Sequence, residues 1–504
     1  MRPLIILTTL LAASPLQAQA RRDPLRGLET YVTTAMRQWN VPGVALAIVR
    51  NDSVIYARGF GVRELGRPEP VDEHTLFAVA SNTKAMTAAA LGMLVSEGRL
   101  RWDDRVRQYL PDFVLADSLA SRDATIRDLL THRIGLGTWQ GDLMWYGSAL
   151  PMDSVMAMIG RVPLVNGFRN RYGYTNLAFV VAGQVLASVS GQGWEQFIGS
   201  RLLAPLGMTR STTSVADLAS RDNVASPHAI MDGELRPVPY RPIGPAAAAG
   251  AINSSAREWA QWIRLQLSWG SLDGRRIVDS AIIAETRTPQ LALRNRPHPL
   301  YPGFNIQSYG LGWFIRDFRG NLEVTHDGGM DGMYSKAGFL PQRNIGVVVL
   351  TNADEHDLQT ALYYHIMELL LGPSGHDWSA TLLAAQRQST VRPPQARREG
   401  PPPLPLAHYA GRYHNSIMGD LTIRLTPEGR LAVSAQHHQG LRADLSHWEE
   451  NVFVASWADR YFRESRLTFD VQGGRVQGVR FTVRPDFIDP LEYDFRRVAT
   501  PLVP

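Results

Sequence analysis

Apolar positions along the chain follow two periods. Val44–Val49 and Ser53–Arg58 read as two strands joined in a hairpin through Asn51-Asp52. Thr83–Ser96 is rich in Ala and Leu, with Gly98 just past its end, which predicts a helix with a C-terminal stop. Leu177–Ser188 predicts a second apolar helix, closed by Gly191. Ser255–Leu267 is amphipathic, with Trp259 and Trp262 on its apolar side. Asn321–Thr325 and Ile345–Thr351 read as neighbouring strands. Helices and strands alternate irregularly rather than in βαβ units, so the expected class is α+β or mixed α/β. No internal repeat is present.

The pattern changes at Val391–Leu406, where six of sixteen residues are Pro. Proline removes backbone donors and favours extended chain, so this stretch reads as a semi-rigid linker. Beyond it, residues 407–504 carry short β-type runs at Asp420–Leu425, Arg430–Ser434, Val452–Ser456, Arg466–Val471, Arg475–Val483 and Leu491–Arg496. Turn residues recur between them, which predicts a small all-β sandwich or barrel. At the other end, residues 1–20 pair one early Arg with an apolar run from Leu4 to Ala13 and small residues at Ala18-Gln19-Ala20. That is the form of a cleavable secretory signal, too short to span a bilayer. The expected organisation is therefore a signal peptide at 1–20, a large domain at 21–390, a linker at 391–406 and an all-β domain at 407–504. The expected location is secreted or periplasmic, with no transmembrane segment.

Composition narrows the chemistry. The chain has 504 residues, a formal net charge of +5 and no cysteine. No block of like charges points to nucleic acid. Disulfides, a cysteine nucleophile and Cys-bearing metal sites are excluded. Of 52 basic residues only Lys84 and Lys336 are lysine. Arginine is effectively always protonated, whereas lysine can lose its proton when desolvated, so each lysine is a candidate for titratable chemistry. Neither follows a Gly, so a phosphate-binding Gly-Lys-Ser/Thr loop is absent.

Three short motifs carry candidate chemistry. In Ser81-Asn82-Thr83-Lys84 the i and i+3 residues share a helix face, so the Lys84 amine can reach the Ser81 hydroxyl. A serine needs an adjacent base to become a nucleophile, and desolvation at a helix N-terminus pushes lysine toward its neutral form. Tyr174-Thr175-Asn176 precedes the second apolar helix. A Tyr beside a positive charge has its pKa lowered and can relay a proton, and an Asn amide can bind a carbonyl or orient a lysine. His326-Asp327-Gly328-Gly329 falls at the end of the strand Asn321–Thr325, where glycine lets a backbone amide approach a substrate. Taken singly, each also reads as a helix cap or a strand-end turn.

In this order and spacing, Ser-x-x-Lys, Tyr-x-Asn and His-x-Gly resemble the serine β-lactamase and penicillin-binding superfamily, in particular the β-lactamase-related hydrolases called the CubicO group. Supporting stretches are VPGVALAIVR, LFAVASNTKAMTA, SEGRLRWDDRVRQYLP, TIRDLLTHRIGL, APLGMTRS and AAAAGAINSSAREWAQW. The resemblance covers Arg26 to Leu371. It implies a central antiparallel sheet flanked by helices, with an all-helical subdomain between Asp104 and Pro245. Ser81 would be the acylated nucleophile, with Lys84, alone or with Tyr174, as its base. Asn176 would contact the substrate carbonyl, and His326, Gly328 and Gly329 would border the substrate. The backbone N–H groups of Ser81 and Gly329 would form the oxyanion hole. No metal or cofactor is implied.

Classical β-lactamases and carboxypeptidases carry Lys at the position of His326. A histidine with an ordinary pKa near ~6.5 is mostly uncharged at neutral pH, so a substrate carboxylate loses an anchor. Amides, D-amino amides, peptides and esters are then favoured over β-lactams, with cell-wall-derived peptides among them. Lys336 is placed in the loop that follows. Alternative readings are a β-lactamase or penicillin-binding protein acting on β-lactams or peptidoglycan peptides, and a cell-wall-binding module that keeps the fold without turnover. A Ser-His-Asp esterase is excluded, because no Gly-x-Ser-x-Gly elbow occurs. His437-His438, Trp448 and Trp457 read as a loop and core aromatics, with reach to the site left open. Oligomeric state is not legible.

Overall fold

The computed structural model describes residues 23–293, 300–301, 304–389 and 400–499. The secretory-signal segment 1–20 and most of the Pro-rich linker lie outside the described residues. The larger part is built on eight antiparallel strands: β1 (Gly43–Arg50), β2 (Ser53–Gly61), β3 (Leu291–Ala292), β4 (Gln307–Tyr309), β5 (Phe314–Phe318), β6 (Asn321–Met330), β7 (Met333–Leu340) and β8 (Ile345–Thr351). Their order across the sheet is β2-β1-β8-β7-β6-β5-β4-β3. Strand β1 pairs with β8 in a register that sets Val44 opposite Thr351 and Arg50 opposite Ile345.

Alternation along β1 sorts its side chains between two cores, as a two-residue period requires. Val44, Leu46 and Ile48 join helices α1 (Leu28–Trp39), α5 (Leu358–Leu371) and α6 (Trp378–Ser389) on one face. Ala45, Ala47 and Val49 face α2 (Thr83–Ser96), α3 (Asn176–Ser190) and α4 (Ala256–Leu267) on the other. Helix α4 is started by Ser255, whose hydroxyl accepts the Glu258 N–H at 3.2 Å. Helix α2 is buried from Thr83 to Leu94, so it runs through the interior rather than along a surface.

Three expectations need correction. Strands β6 and β8 are not neighbours; β7 lies between them, paired with both. Its sequence, MYSKAGFL, hides the strand because it carries Lys336, Ser335 and Gly338 in a fully enclosed position. Lys336 is therefore on a central strand, not in a loop. The region between Asp104 and Pro245 is not all helical either: His228–Met231 and Glu234–Pro237 form a hairpin within it.

The C-terminal part is a closed antiparallel barrel of β9 (Gly411–Asn415), β10 (Gly419–Leu425), β11 (Leu431–Ala435), β12 (His438–Glu449), β13 (Val452–Ser456), β14 (Glu464–Gln472), β15 (Arg475–Val483) and β16 (Asp489–Arg497). Closure leaves no free edge, which lets so small a sheet stand without a partner sheet. Strand β12 escapes sequence reading because, in HQGLRADLSHWE, only His438, Leu441 and Leu445 turn fully inward. Among the described residues no single helix is long and apolar enough to cross a membrane.

Candidate active site

Ser81 sits in a single turn, Ala80–Asn82, that feeds directly into α2. Ala80 there has φ +47°, a left-handed conformation that costs a residue with a Cβ of order 1 kcal/mol or more. The turn is pinned from β7. The Ser335 hydroxyl donates to the Val79 carbonyl at 2.8 Å and accepts from the Asn82 amide at 2.9 Å. From β6, Gly328 presses so close that a Cβ would stand 2.2 Å from the Val79 carbonyl oxygen. Only glycine permits that approach.

Lys84, one turn further on, is fully buried. Its Nζ donates to Ser81 Oγ at 2.9 Å, Asn176 Oδ1 at 2.8 Å and the Ala249 carbonyl at 2.9 Å. All three acceptors are uncharged. Burial pulls its pKa down to about 7, against the opposing charge of Asp142. Tyr174 lies beneath the amine, 4.8 Å from Nζ to the ring centroid, and its hydroxyl is bonded to Ser81. Burial raises the Tyr174 pKa far above its ordinary value. This corrects the expectation that the nearby lysine would lower it: desolvation outweighs the cation, so Tyr174 stays a phenol.

Asn176 begins α3, next to Thr175, whose hydroxyl accepts the Leu177 N–H at 3.2 Å. Its amide is oriented from both ends: Oδ1 faces Lys84, and Nδ2 donates to Asp142 Oδ2 at 2.6 Å. Asp142 also accepts from the Trp145 indole at 3.0 Å. Burial, reinforced by the neighbouring Asp489, raises Asp142 to about 8. The sequence analysis missed Asp142, because one aspartate in a Gly-rich loop carries no motif.

The His326-Asp327-Gly328-Gly329 segment is not a strand-end turn. Strand β6 continues to Met330, paired with β7 on one side only, because β5 ends opposite Thr325. The other edge of 326–330 borders the pocket. His326 is buried, and its ring is held in one tautomer by a directed chain. The Thr175 N–H donates to His132 Nδ1 at 3.2 Å, so His132 Nε2–H donates to the Tyr309 hydroxyl at 3.3 Å. Tyr309 then donates to His326 Nε2 at 3.1 Å, and His326 Nδ1–H donates to the Asp327 carbonyl at 2.6 Å. Burial, with help from Lys84, pulls the His326 pKa down to about 3. His326 is a neutral wall of the pocket. Lys336 does not compensate for its neutrality: its amine is committed to Asp327 Oδ1 at 2.6 Å and packed over Tyr363 and Tyr364.

The cavity over Ser81 holds about 620 Å³, room for a small-molecule or short-peptide substrate. Tyr174, Asn176, His326, Gly328 and Gly329 all line it, so six of the seven expected site residues border one space and Lys84 lies directly beneath. Aromatic walls come from Trp139, Trp145, Tyr146 and Phe314, and the barrel adds Asp486, Phe487 and Ile488. Among the described residues no lysine or arginine lines it. Trp457 is a core residue of the barrel, His438 is buried with its Nε2 on the Leu143 carbonyl, and neither lines the pocket.

A serine bonded to a buried lysine that touches no carboxylate, at the start of an interior helix and beside a free strand edge, defines a penicillin-binding-protein-like serine hydrolase. The chain belongs to the Beta-lactamase family, whose pattern matches residues 28–371. Residues 395–497 match a second pattern, described as Domain of unknown function (DUF3471). Among curated proteins, the chain is 29% identical over 478 residues to "Unguisins hydrolase ungD" of Aspergillus violaceofuscus, covering 86% of this chain and 83% of that one. It is 28% identical to "Penicillin-binding protein 4" of Amycolatopsis lactamdurans, covering 74% and 93%. Among solved structures, the octameric penicillin-binding protein homologue from Pyrococcus abyssi superposes with a TM-score of 0.62 at 22% identity, covering 94% of this chain and 99% of that one.

Proposed function

We propose that the protein is an exported serine hydrolase that forms an acyl-enzyme on Ser81 and hydrolyses amide, peptide or ester bonds. The observation that carries this is the 2.9 Å bond between Ser81 Oγ and an amine whose pKa lies at about 7. Neutral Lys84 takes the Ser81 proton as Oγ attacks the substrate carbonyl carbon. The negative oxygen then meets the backbone N–H groups of Ser81 and Gly329. As the bond to the leaving group breaks, the Lys84 proton returns to it, directly or through the Tyr174 hydroxyl. Tyr174 acts there as a proton donor and relay, because its raised pKa keeps it protonated. Water then discharges the ester by the reverse route. Export rests on residues 1–20.

The substrate class follows from charge. His326 is neutral, Lys336 is committed to Asp327, and among the described residues no lysine or arginine lines the cavity. A substrate carboxylate therefore finds no permanently charged cation among the described lining residues. This favours amides, peptides (D-residues among them) and esters over β-lactams and carboxyl-terminal dipeptides. Hydrolysis stands in the name of the fungal relative, which fits this reading. The test is a fluorophosphonate probe on purified protein, with the adduct mapped by peptide mass. Labelling at Ser81 that disappears in Ser81→Ala is expected, and labelling at another serine would contradict the assignment. A substrate panel follows: D-alanine anilide and a short-chain nitrophenyl ester are expected to turn over faster than a chromogenic cephalosporin.

A further inference from the structure

The short helical turn Asp142–Met144, which carries Asp142 into the site, is gripped from the barrel. At the start of β16, the Asp489 carboxylate accepts the Gly141 N–H and the Leu143 N–H, each at 3.1 Å. These are donors at the beginning of that turn, left without partners by its geometry. At the start of β12, His438 Nε2 donates to the Leu143 carbonyl at 2.7 Å. Both backbone groups of Leu143 are thus bonded to the barrel. Asp489 is itself fixed by the Tyr493 hydroxyl at 2.6 Å and the Leu491 N–H at 2.9 Å. Asp489 and His438 are both buried. The adjoining barrel residues Asp486, Phe487 and Ile488 wall the cavity.

We propose that Asp489 and His438 are positioning residues for acylation, acting through the Asp142–Met144 turn on the Asp142–Asn176–Lys84 chain. This rests on the Ser81 acyl-enzyme reading and extends it: the barrel is part of the catalytic apparatus, not an appended module. From β16, Asp489 and Tyr493 face Asp142. Asn176, with Lys84 behind it, and Tyr174 approach from the other side, and Trp145 lies on its own turn. Lys84 is faced by Tyr174, His132 and His326 as well as by Asp142. Asp489 is the like charge that helps keep Asp142 protonated. Without it Asp142 ionises at lower pH, and an ionised Asp142 raises the pKa of Lys84.

The test measures the rate of Ser81 labelling by the fluorophosphonate probe against pH, in the full chain. In Asp489→Asn the rate is expected to fall about tenfold to a hundredfold, the effect of misplacing reacting groups by an ångström. Its acidic limb is expected to move to higher pH. A merely structural loss would reduce the fraction of labelled protein and leave the pH profile in place, which would overturn the proposal. So would a wild-type rate and profile. If Asp489→Asn yields no folded protein, His438→Leu carries the test, because it removes only the bond to the Leu143 carbonyl. Slower labelling with rescue by His438→Gln, which keeps a donor, supports the proposal, and wild-type labelling in His438→Leu overturns it. A wild type that labels away from Ser81 overturns the acyl-enzyme reading and this inference with it. A wild type labelled at Ser81 beside unaffected variants overturns this inference alone.

Discussion

Lys84 and Lys336 are the two lysines of the chain, and both are buried close to the same cavity. Lys84 is surrounded by neutral acceptors, and its nearest carboxylate, Asp142, is reached only through the Asn176 amide. Lys336 touches a carboxylate directly, Asp327 at 2.6 Å. Burial opposes ionisation of Asp327, but Lys336 and Arg316 outweigh it and hold that carboxyl below its usual range. The difference teaches that burial alone does not make a lysine a base. What matters is whether an anion is in contact. One inserted amide separates a proton acceptor from a structural ion pair.

The comparison breaks most sharply at the chemistry. Lys84→Arg keeps a cation but cannot surrender its proton, so Ser81 labelling is expected to fall about 10²- to 10⁴-fold. Lys336→Arg keeps its ion pair and is expected to change the labelling rate only a few-fold. Equal losses in the two variants would erase the distinction. The next largest effect is the wild-type pH dependence. The reactive form is deprotonated Lys84, and its pKa is lowered to about 7. Labelling should therefore rise about tenfold per pH unit below that value and level off above it. A rate independent of pH between 5 and 8 would contradict this.

Smaller effects sharpen the same contrast. In Gly328→Ala the new methyl meets the Val79 carbonyl oxygen, so β6 must retreat from the turn that holds Ser81. Overpacking of this kind costs roughly 1–3 kcal/mol, read as a lowered denaturation midpoint, and labelling should slow with it. Removing charge without replacing it separates the lysines by stability. Lys336→Met leaves the Asp327 carboxylate without its nearest partner. The loss is expected to be about 1–2 kcal/mol, below the figure for a fully buried pair because Asp327 is 46% exposed. Lys84→Met strands no charge and should cost less. A denaturant titration reporting the reverse order would contradict the account of the two environments.

Much of this was legible in the sequence, and the parts that were not share a cause. Helices α2 and α3 and the first hairpin fall where apolar spacing and glycine stops put them, because local periodicity decides those elements. Ser81, Lys84, Tyr174, Asn176 and the His326–Gly329 segment stand in recognisable order, and the fold brings them to one cavity. Strand β7 was hidden because both its faces are buried and one carries Ser335, the other Lys336, polar groups that break the apolar pattern. Strand β12 was hidden because a small barrel buries only a few side chains per strand. Asp142, His132, Tyr309 and Asp489 were missed because each acts through contacts made by tertiary packing, across 34 residues for Asp142 and Asn176 and 348 for Asp489 and Gly141. The direction of the Tyr174 shift was misjudged because desolvation, which no local spacing reveals, outweighs the adjacent amine.

With only two lysines, the central claim can be read from a single resonance. The protein would be made with ¹⁵N-lysine in a Lys336→Arg background, leaving Lys84 as the sole labelled side chain, and its amine followed from pH 5 to pH 10. The account predicts that this resonance titrates near pH 7 and that Ser81 labelling follows the same curve. An amine that keeps its protonated shift beyond pH 9 while Ser81 still reacts at pH 7 would contradict Lys84 as the base.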